Sequence, residues 1–427
     1  MFNIFKKNNK KRTVIIGFDG APYRLIQDLT SCGTMPRLRE IIKSGTFSKI
    51  ASSIPEVSSV AWSSIITGKN PGQHGIYGFM EMKKGTYQLT FPNFNDLREK
   101  PFWENLTDKK SAIINVPSTY PARYLNGILI SGFVAIELEK ATFPQSLIPE
   151  LKENDYRLDV DIQKAHQSMD LFLKDLYETH ELRIKSYRML WEKDDWDIFM
   201  FIFTETDRLF HFLWEAYEDK SHKYHKNFIE YFQKLDEAVG EIYSNLKKDD
   251  SFIMLSDHGF ELLEKEVYVN SFLVEKGFLK LKQVPANSFD DIDTGTKAFA
   301  LDPARIYINM EGKYPRGSVT LDKKQEVIKN LIETFTDLKI DNKPVIKRIF
   351  RKEELYTGKY LEDAPDLVLL SNKGFDLKAT IRETEIAGKR IFTGKHTQDD
   401  AFIYFNWTDD QFPKEPSVTD FISLINR

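Results

Sequence analysis

Three apolar runs in this sequence each end on an aspartate: Val-Ile-Ile-Gly-Phe-Asp19, Phe-Met-Phe-Ile-Phe-Thr-Glu-Thr-Asp207 and Phe-Ile-Met-Leu-Ser-Asp257. Read as strands of an open parallel sheet, the runs bring three carboxylates to the carboxyl edge, where such sheets bind ligands. Convergent anions need a cation. Two of the aspartates have a histidine close by, His211 four residues after Asp207 and His258 directly after Asp257. If Asp207 opens a helix, the i, i+4 spacing sets it and His211 on one face, where they can hold one ion together. Mixed carboxylate and imidazole ligands suit zinc or manganese, and a set large enough for two ions brings two-metal chemistry, one ion for each oxygen of a displacement. A single aspartate at a strand end is often only the N-cap of the next helix. Three together weaken that alternative.

The stretch Pro55-Glu-Val-Ser58-Ser59-Val-Ala-Trp62 reads as a small-residue turn entering a helix. A hydroxyl there serves as a helix cap. It also sits where backbone N–H groups and the helix dipole favour a phosphate, so it is a candidate nucleophile as well.

The elements that must position these groups are short runs rich in Ile, Val and Phe: 13–18, 112–116, 128–131, 197–203, 252–255, 367–370 and 401–405. Helical patterns lie between them. One places Phe228, Phe232, Leu235, Val239, Ile242 and Leu246 on a single stripe, and another runs from Met169 to Tyr187. Strands that are apolar along their whole length and alternate with long helices indicate a three-layer α/β/α core with a mainly parallel sheet. Residues 271–385, with Pro285, Pro303, Pro315 and Pro344 and weaker periodicity, read as an inserted smaller α+β cap. The expected division is a basic tail over 1–12, a core over 13–270, the cap over 271–385 and a return to the core over 386–427.

A chain of 427 residues with 41% hydrophobic and 29% charged residues is globular, and its formal charge of -4 supplies no bulk positive field for a nucleic-acid polymer. The lone cysteine, Cys32, excludes an intrachain disulfide and any thiolate-rich metal site, and fits a reducing compartment. No apolar stretch follows the basic N-terminus, so neither a secretory signal nor a membrane span is expected, and a cytoplasmic protein is. The basic residues up to Arg12 offer at most a weak contact with an anionic membrane. His74, His166, His180, His222 and His225 read as surface or capping residues, and Arg305, Lys313 and Arg316 as a solvated basic face.

In chain order, Gly-Phe-Asp19-Gly, the Ser58 turn with Thr67-Gly68 and His74-Gly75, Thr206-Asp207 with His211, Ser256-Asp257-His258-Gly259 and Gly394-Lys-His396 resemble the motifs of the alkaline phosphatase superfamily. Within it the sequence is most similar to the type I phosphodiesterase and nucleotide pyrophosphatase group, especially members described as predicted phosphohydrolases or phosphomutases. The resemblance covers residues 12 to 406. It implies an alkaline phosphatase-like fold and two divalent metal ions, zinc ahead of manganese. Asp19, Ser58, Asp257 and His258 would surround one ion, and Asp207, His211 and His396 the other. Ser58 would be the nucleophile, giving a covalent phosphoserine intermediate that water then cleaves. The expected substrate is a small-molecule phosphodiester or pyrophosphate. Alternatives are a phosphomonoesterase, a phosphomutase or phosphotransferase, and a non-catalytic binding protein. Oligomeric state is left open.

The sequence departs from the group in three ways. Ser58 stands where the group usually has Thr, and no Pro follows two residues later, which makes Ser59 a rival. Ile76-Tyr-Gly-Phe79 offers no amide where the nucleotide pyrophosphatases place Asn. Asn115 is a substitute for that amide or simply a turn residue. Sulfatase chemistry is set aside, because Ser58-Ser-Val-Ala-Trp62 lacks the Pro and Arg of that site.

Overall fold

The computed structural model describes residues 11–425. An eight-stranded sheet forms its centre, in the order Thr46–Ile50, Ala401–Phe405, Ser251–Leu255, Thr13–Phe18, Ile198–Phe203, Ser111–Val116, Gly127–Ser131, Thr142–Phe143. The five strands from Ser251–Leu255 to Gly127–Ser131 pair in parallel, and the remaining pairings are antiparallel.

Strand alternation makes the three layers. Val14, Ile16, Phe18, Phe199, Phe201 and Phe203 pack on one face with Phe172 and Leu176 of helix Met169–Glu192 and Phe228, Phe232 and Val239 of helix His225–Ser244. Ile15, Ile198, Met200 and Ile202 pack on the other with Trp62, Ile65 and Ile66 of helix Ser58–Thr67. Each large apolar side chain removed from water contributes about 1.5–3 kcal/mol, so continuous apolar runs pay off only with both faces covered. Gly17 is part of this fit, since a Cβ there would meet Ile202 at 2.4 Å and Trp62 at 2.7 Å.

A second unit has its own sheet and its own apolar cluster. Its four antiparallel strands run in the order Ala298–Leu301, Arg305–Ile308, Leu367–Ser371, Ile346–Arg351. Leu331 and Phe335 of helix Lys324–Thr336 pack into this cluster beside Phe299, Ile306 and Leu367. The 367–370 run is thus a strand of this sheet, not of the central one. Between the units, an antiparallel ribbon of Gly259–Leu262 and Gly394–Thr397 sets His396 opposite Phe260. Near the start of the Ser58 helix the second unit touches the first directly, where Tyr356 donates to the Ile54 carbonyl at 2.8 Å and Tyr77 to that of Tyr360 at 2.6 Å.

Of the tail expected over 1–12, residues 1–10 and the membrane contact assigned to them lie outside the described residues. Arg12 is no tail residue. Buried at the amino end of the central strand Thr13–Phe18, it pairs with Asp250 at 2.8 Å and lies over the Trp191 ring. Among the described residues no helix is long and apolar enough to cross a membrane.

Candidate metal centre

The carboxyl edge of the sheet gathers all seven positions. Asp19 follows strand Thr13–Phe18. Its N–H donates to Phe203 O at 3.0 Å, and the Thr206 hydroxyl donates to Asp19 O at 2.6 Å, which ties the ends of two adjacent strands together. Gly20, at φ +72°, donates its N–H to Asp257 Oδ1 at 2.9 Å. A Cβ on Gly20 would meet the Phe260 ring at 2.7 Å, so this turn requires glycine. None of the three aspartates caps a helix: Asp207 lies inside the first turn of helix Glu205–Glu218 after Thr204, Pro22 precedes the helix after Asp19, and a strand follows Asp257.

Around Ser58, His258 Nε2 lies 3.1 Å from the hydroxyl, 3.3 Å from Asp257 Oδ2 and 3.9 Å from Asp19 Oδ1. The Ser58 hydroxyl also donates to Asp19 Oδ1 at 3.4 Å. It is the first residue of its helix and makes no capping bond, whereas the Ser59 hydroxyl is buried without a partner. Beside this group, Asp207 Oδ1 lies 3.5 Å from His211 Nε2 and 3.3 Å from His396 Nε2, and the two imidazole nitrogens are 3.1 Å apart. Ring centroids of His258 and His396 are 3.8 Å apart, so the two groups adjoin and His258 reaches both Asp19/Asp257 and Asp207/His396. Backbone carbonyls hold the far nitrogens, Gly259 O that of His258 and Glu56 O that of His396, which turns both Nε2 atoms inward.

The electrostatics call for cations. Burial, then repulsion from Asp257 and Asp207, raises the Asp19 carboxyl well above its ordinary range, and burial pushes Asp257 up to about 6. Burial would raise Asp207 too, but His211, His396 and Arg208 outweigh it and hold the carboxyl below its ordinary value. Burial also pushes His211 and His258 down to about 3, which leaves them as neutral imidazoles at pH 7. His396 is raised, because the Asp207 carboxylate outweighs the effect of its burial. Asp257 Oδ2 is buried without a hydrogen-bond partner, and Asp207 Oδ1 faces two imidazoles but is aligned with neither as a hydrogen bond. Unpartnered buried carboxylate oxygens beside neutral imidazoles fit divalent cations.

Sequence reasoning missed Arg208, which follows Asp207 and donates to its Oδ2 at 2.8 Å. The available signal was a cation in the first turn of a buried helix, where the dipole disfavours it. Other readings are corrected. Arg305 belongs to no solvated face: it is fully buried and donates to the carbonyls of Met80 and Asp302 and to the Tyr307 hydroxyl. His74 and His180 are buried as well, His74 bonded to the Ser64 hydroxyl at 3.0 Å and His180 stacked on Phe203. Asn115 lies at a bulge with φ +62°, its amide committed to Ile202 O and the Tyr156 hydroxyl.

This mainly parallel sheet, covered by helices on both faces, has the α/β architecture of the alkaline phosphatase-like fold. The chain belongs to the type I phosphodiesterase / nucleotide pyrophosphatase family, whose family model matches residues 13–399, and it is accordingly a hydrolase of phosphate esters. Phosphonoacetate hydrolase from Sinorhizobium meliloti, solved with phosphonoformate, superposes with a TM-score of 0.66 at 14% identity, over 98% of this chain and 95% of that one. Murine ectonucleotide pyrophosphatase / phosphodiesterase 5 gives 0.55 at 14% identity, over 97% and 94%. At that identity the likeness is one of fold. Among curated proteins, none matches the sequence.

Proposed function

We propose that the protein cleaves a phosphodiester or pyrophosphate bond in a small molecule, with Ser58 as nucleophile. The position of the Ser58 hydroxyl carries this reading: it lies at a helix N-terminus between Asp19 Oδ1 and His258 Nε2. Asp19, Ser58, Asp257 and His258 would hold one divalent ion and Asp207, His211 and His396 the other. Zinc is the first choice and manganese the second, since the donors are nitrogen and oxygen with no thiolate. When bound, the ions supply positive charge for the phosphoryl oxygens and for an ionised hydroxyl.

In the first half-reaction Ser58 Oγ attacks phosphorus, the bond from phosphorus to the leaving oxygen breaks, and a phosphoserine ester forms. Asp19 Oδ1, which accepts the hydroxyl hydrogen bond, would take up the Ser58 proton, which then passes to the leaving oxygen. Water then cleaves the ester: its hydroxyl joins phosphorus, the bond from phosphorus to Ser58 Oγ breaks, and its other proton returns to Ser58 Oγ. Residues 271–385 would act as a cap that selects the substrate, and 386–427 would return the chain to the site with His396. We assign the protein to the cytoplasm, which suits its single exposed cysteine.

The test is the ratio of metal-dependent initial rates on a nitrophenyl phosphodiester and the matching monoester, with Ser58→Ala as blank. A higher kcat/KM for the diester is expected. Preference for the monoester would overturn the diesterase assignment, and transfer of the phosphoryl group to added alcohols in place of water would make the protein a transferase.

A further inference from the structure

We infer that Arg208 and Asp159 form a clamp that decides which oxygen of Asp207 faces the imidazoles. This inference rests on the metal-site reading above. The Arg208 guanidinium donates from Nη1 to Asp207 Oδ2 at 2.8 Å. Its other edge is taken by Asp159, 2.7 Å from Nη2 to Oδ2 and 3.2 Å from Nε to the same oxygen. Phe133 covers the flat face, 4.1 Å from ring centroid to guanidinium carbon, and Phe79 packs edge-on against Phe133. The side chains of Arg208, Asp159 and Asp207 are 10%, 21% and 5% exposed, so solvent screens the group weakly.

An arginine in the first turn of a helix opposes the dipole, and an unpaired buried guanidinium is costly. The geometry accounts for its presence. With Oδ2 held by Arg208, Asp207 cannot rotate, and Oδ1 is the oxygen left facing His211 and His396. The same guanidinium next to a ligand carboxylate would repel a divalent ion. Asp159 supplies the compensating negative charge while donating nothing to the site, because Arg208 stands between it and Asp207. Orientation therefore comes from Arg208 and charge balance from Asp159, and the effect of Asp159 passes through Arg208.

Calorimetric titration of the full-length, metal-stripped protein with zinc and with manganese tests this, with circular dichroism to verify folding. Arg208→Ala should weaken one of the two sites about 10- to 100-fold, the usual range for a residue that orients a ligand. Arg208→Lys, which keeps the charge without the fork, should fall between Arg208→Ala and wild type. Asp159→Asn should weaken the same site by exposing it to an unbalanced guanidinium. In the Arg208→Ala background the Asp159→Asn change should add nothing, a non-additivity that two independent surface charges would not give. Wild-type affinity in Arg208→Ala, or equal and additive losses from the two changes, would overturn the clamp. Asp207→Asn separates the two claims: if it retains both ions at wild-type affinity, the metal-site reading itself fails; if it loses one while Arg208→Ala does not, only the clamp fails.

Discussion

The two units of the molecule contribute to the site by opposite means. In the central unit, strands buried on both faces lead into Asp19, Asp207 and Asp257, and near neighbours hold each carboxylate: the Ser58 hydroxyl that of Asp19, the Arg208 guanidinium that of Asp207 and the Gly20 N–H that of Asp257. The second unit has a separate apolar cluster and approaches the carboxyl edge of the sheet through half-buried polar groups. Lys378, for example, is ion-paired to Asp376 and lies 6.0 Å from the ring of Phe392, which itself packs on His211. On the proposed function, chemistry would sit at the carboxyl edge of the sheet, and access would be left to the second unit.

The contrast can be broken most severely in the central unit. Asp257→Ala, which removes a buried carboxylate beside Ser58, should lower kcat by about three orders of magnitude or more, and steady-state rates at saturating metal would measure it. A loss below tenfold would mean that the edge carboxylates are structural. In the second unit, Phe335→Ala should cost about 3–5 kcal/mol by opening a cavity in its cluster. It should leave kcat per folded molecule within a few-fold of wild type, as urea unfolding combined with rate assays on the folded fraction would register. A kcat loss comparable to that of Asp257→Ala would show that the units are not separable.

A smaller effect concerns pH. Burial pushes His74 down to about 3, against 6.5 for an ordinary histidine. Between those values the unfolded chain binds the proton and the folded one does not, so stability is full above about pH 6.5 and falls as pH drops below it. One such histidine contributes a slope of up to about 1.4 kcal/mol per pH unit. Urea unfolding of the metal-free protein at pH 7, 6 and 5 should give a shallower decline for His74→Gln than for wild type; an identical decline would locate the acid sensitivity elsewhere.

How much was legible in the sequence depended on where each residue's partners lie. The strands Thr13–Phe18 and Ala401–Phe405 were readable to the residue because apolar side chains fill both faces. Edge strand Thr46–Ile50 was not, since its Thr-Phe-Ser-Lys-Ile is mostly half-buried or exposed. Gly394–Thr397 has no apolar run at all and is held by pairing with Gly259–Leu262, so His396 was found by motif resemblance rather than by strand pattern. Pattern also could not assign Leu367–Ser371 to a sheet, because a buried strand reads alike in either. Asp19, Ser58, Asp257 and His258 stood out because each carries a donor at a strand end or helix start, and Asp207 with His211 because of their i, i+4 spacing after a strand. Arg208 and Arg305 did not, because what makes them interior is a carboxylate 49 residues away for the first and, for the second, the Met80 carbonyl 225 residues away.

The most direct test of the central claim compares Ser58→Ala with Ser59→Ala on a nitrophenyl phosphodiester at saturating zinc or manganese. The account predicts that Ser58→Ala loses on the order of 10⁴-fold in kcat while remaining folded, and that Ser59→Ala stays within tenfold of wild type. Full metal-dependent turnover in Ser58→Ala would contradict it.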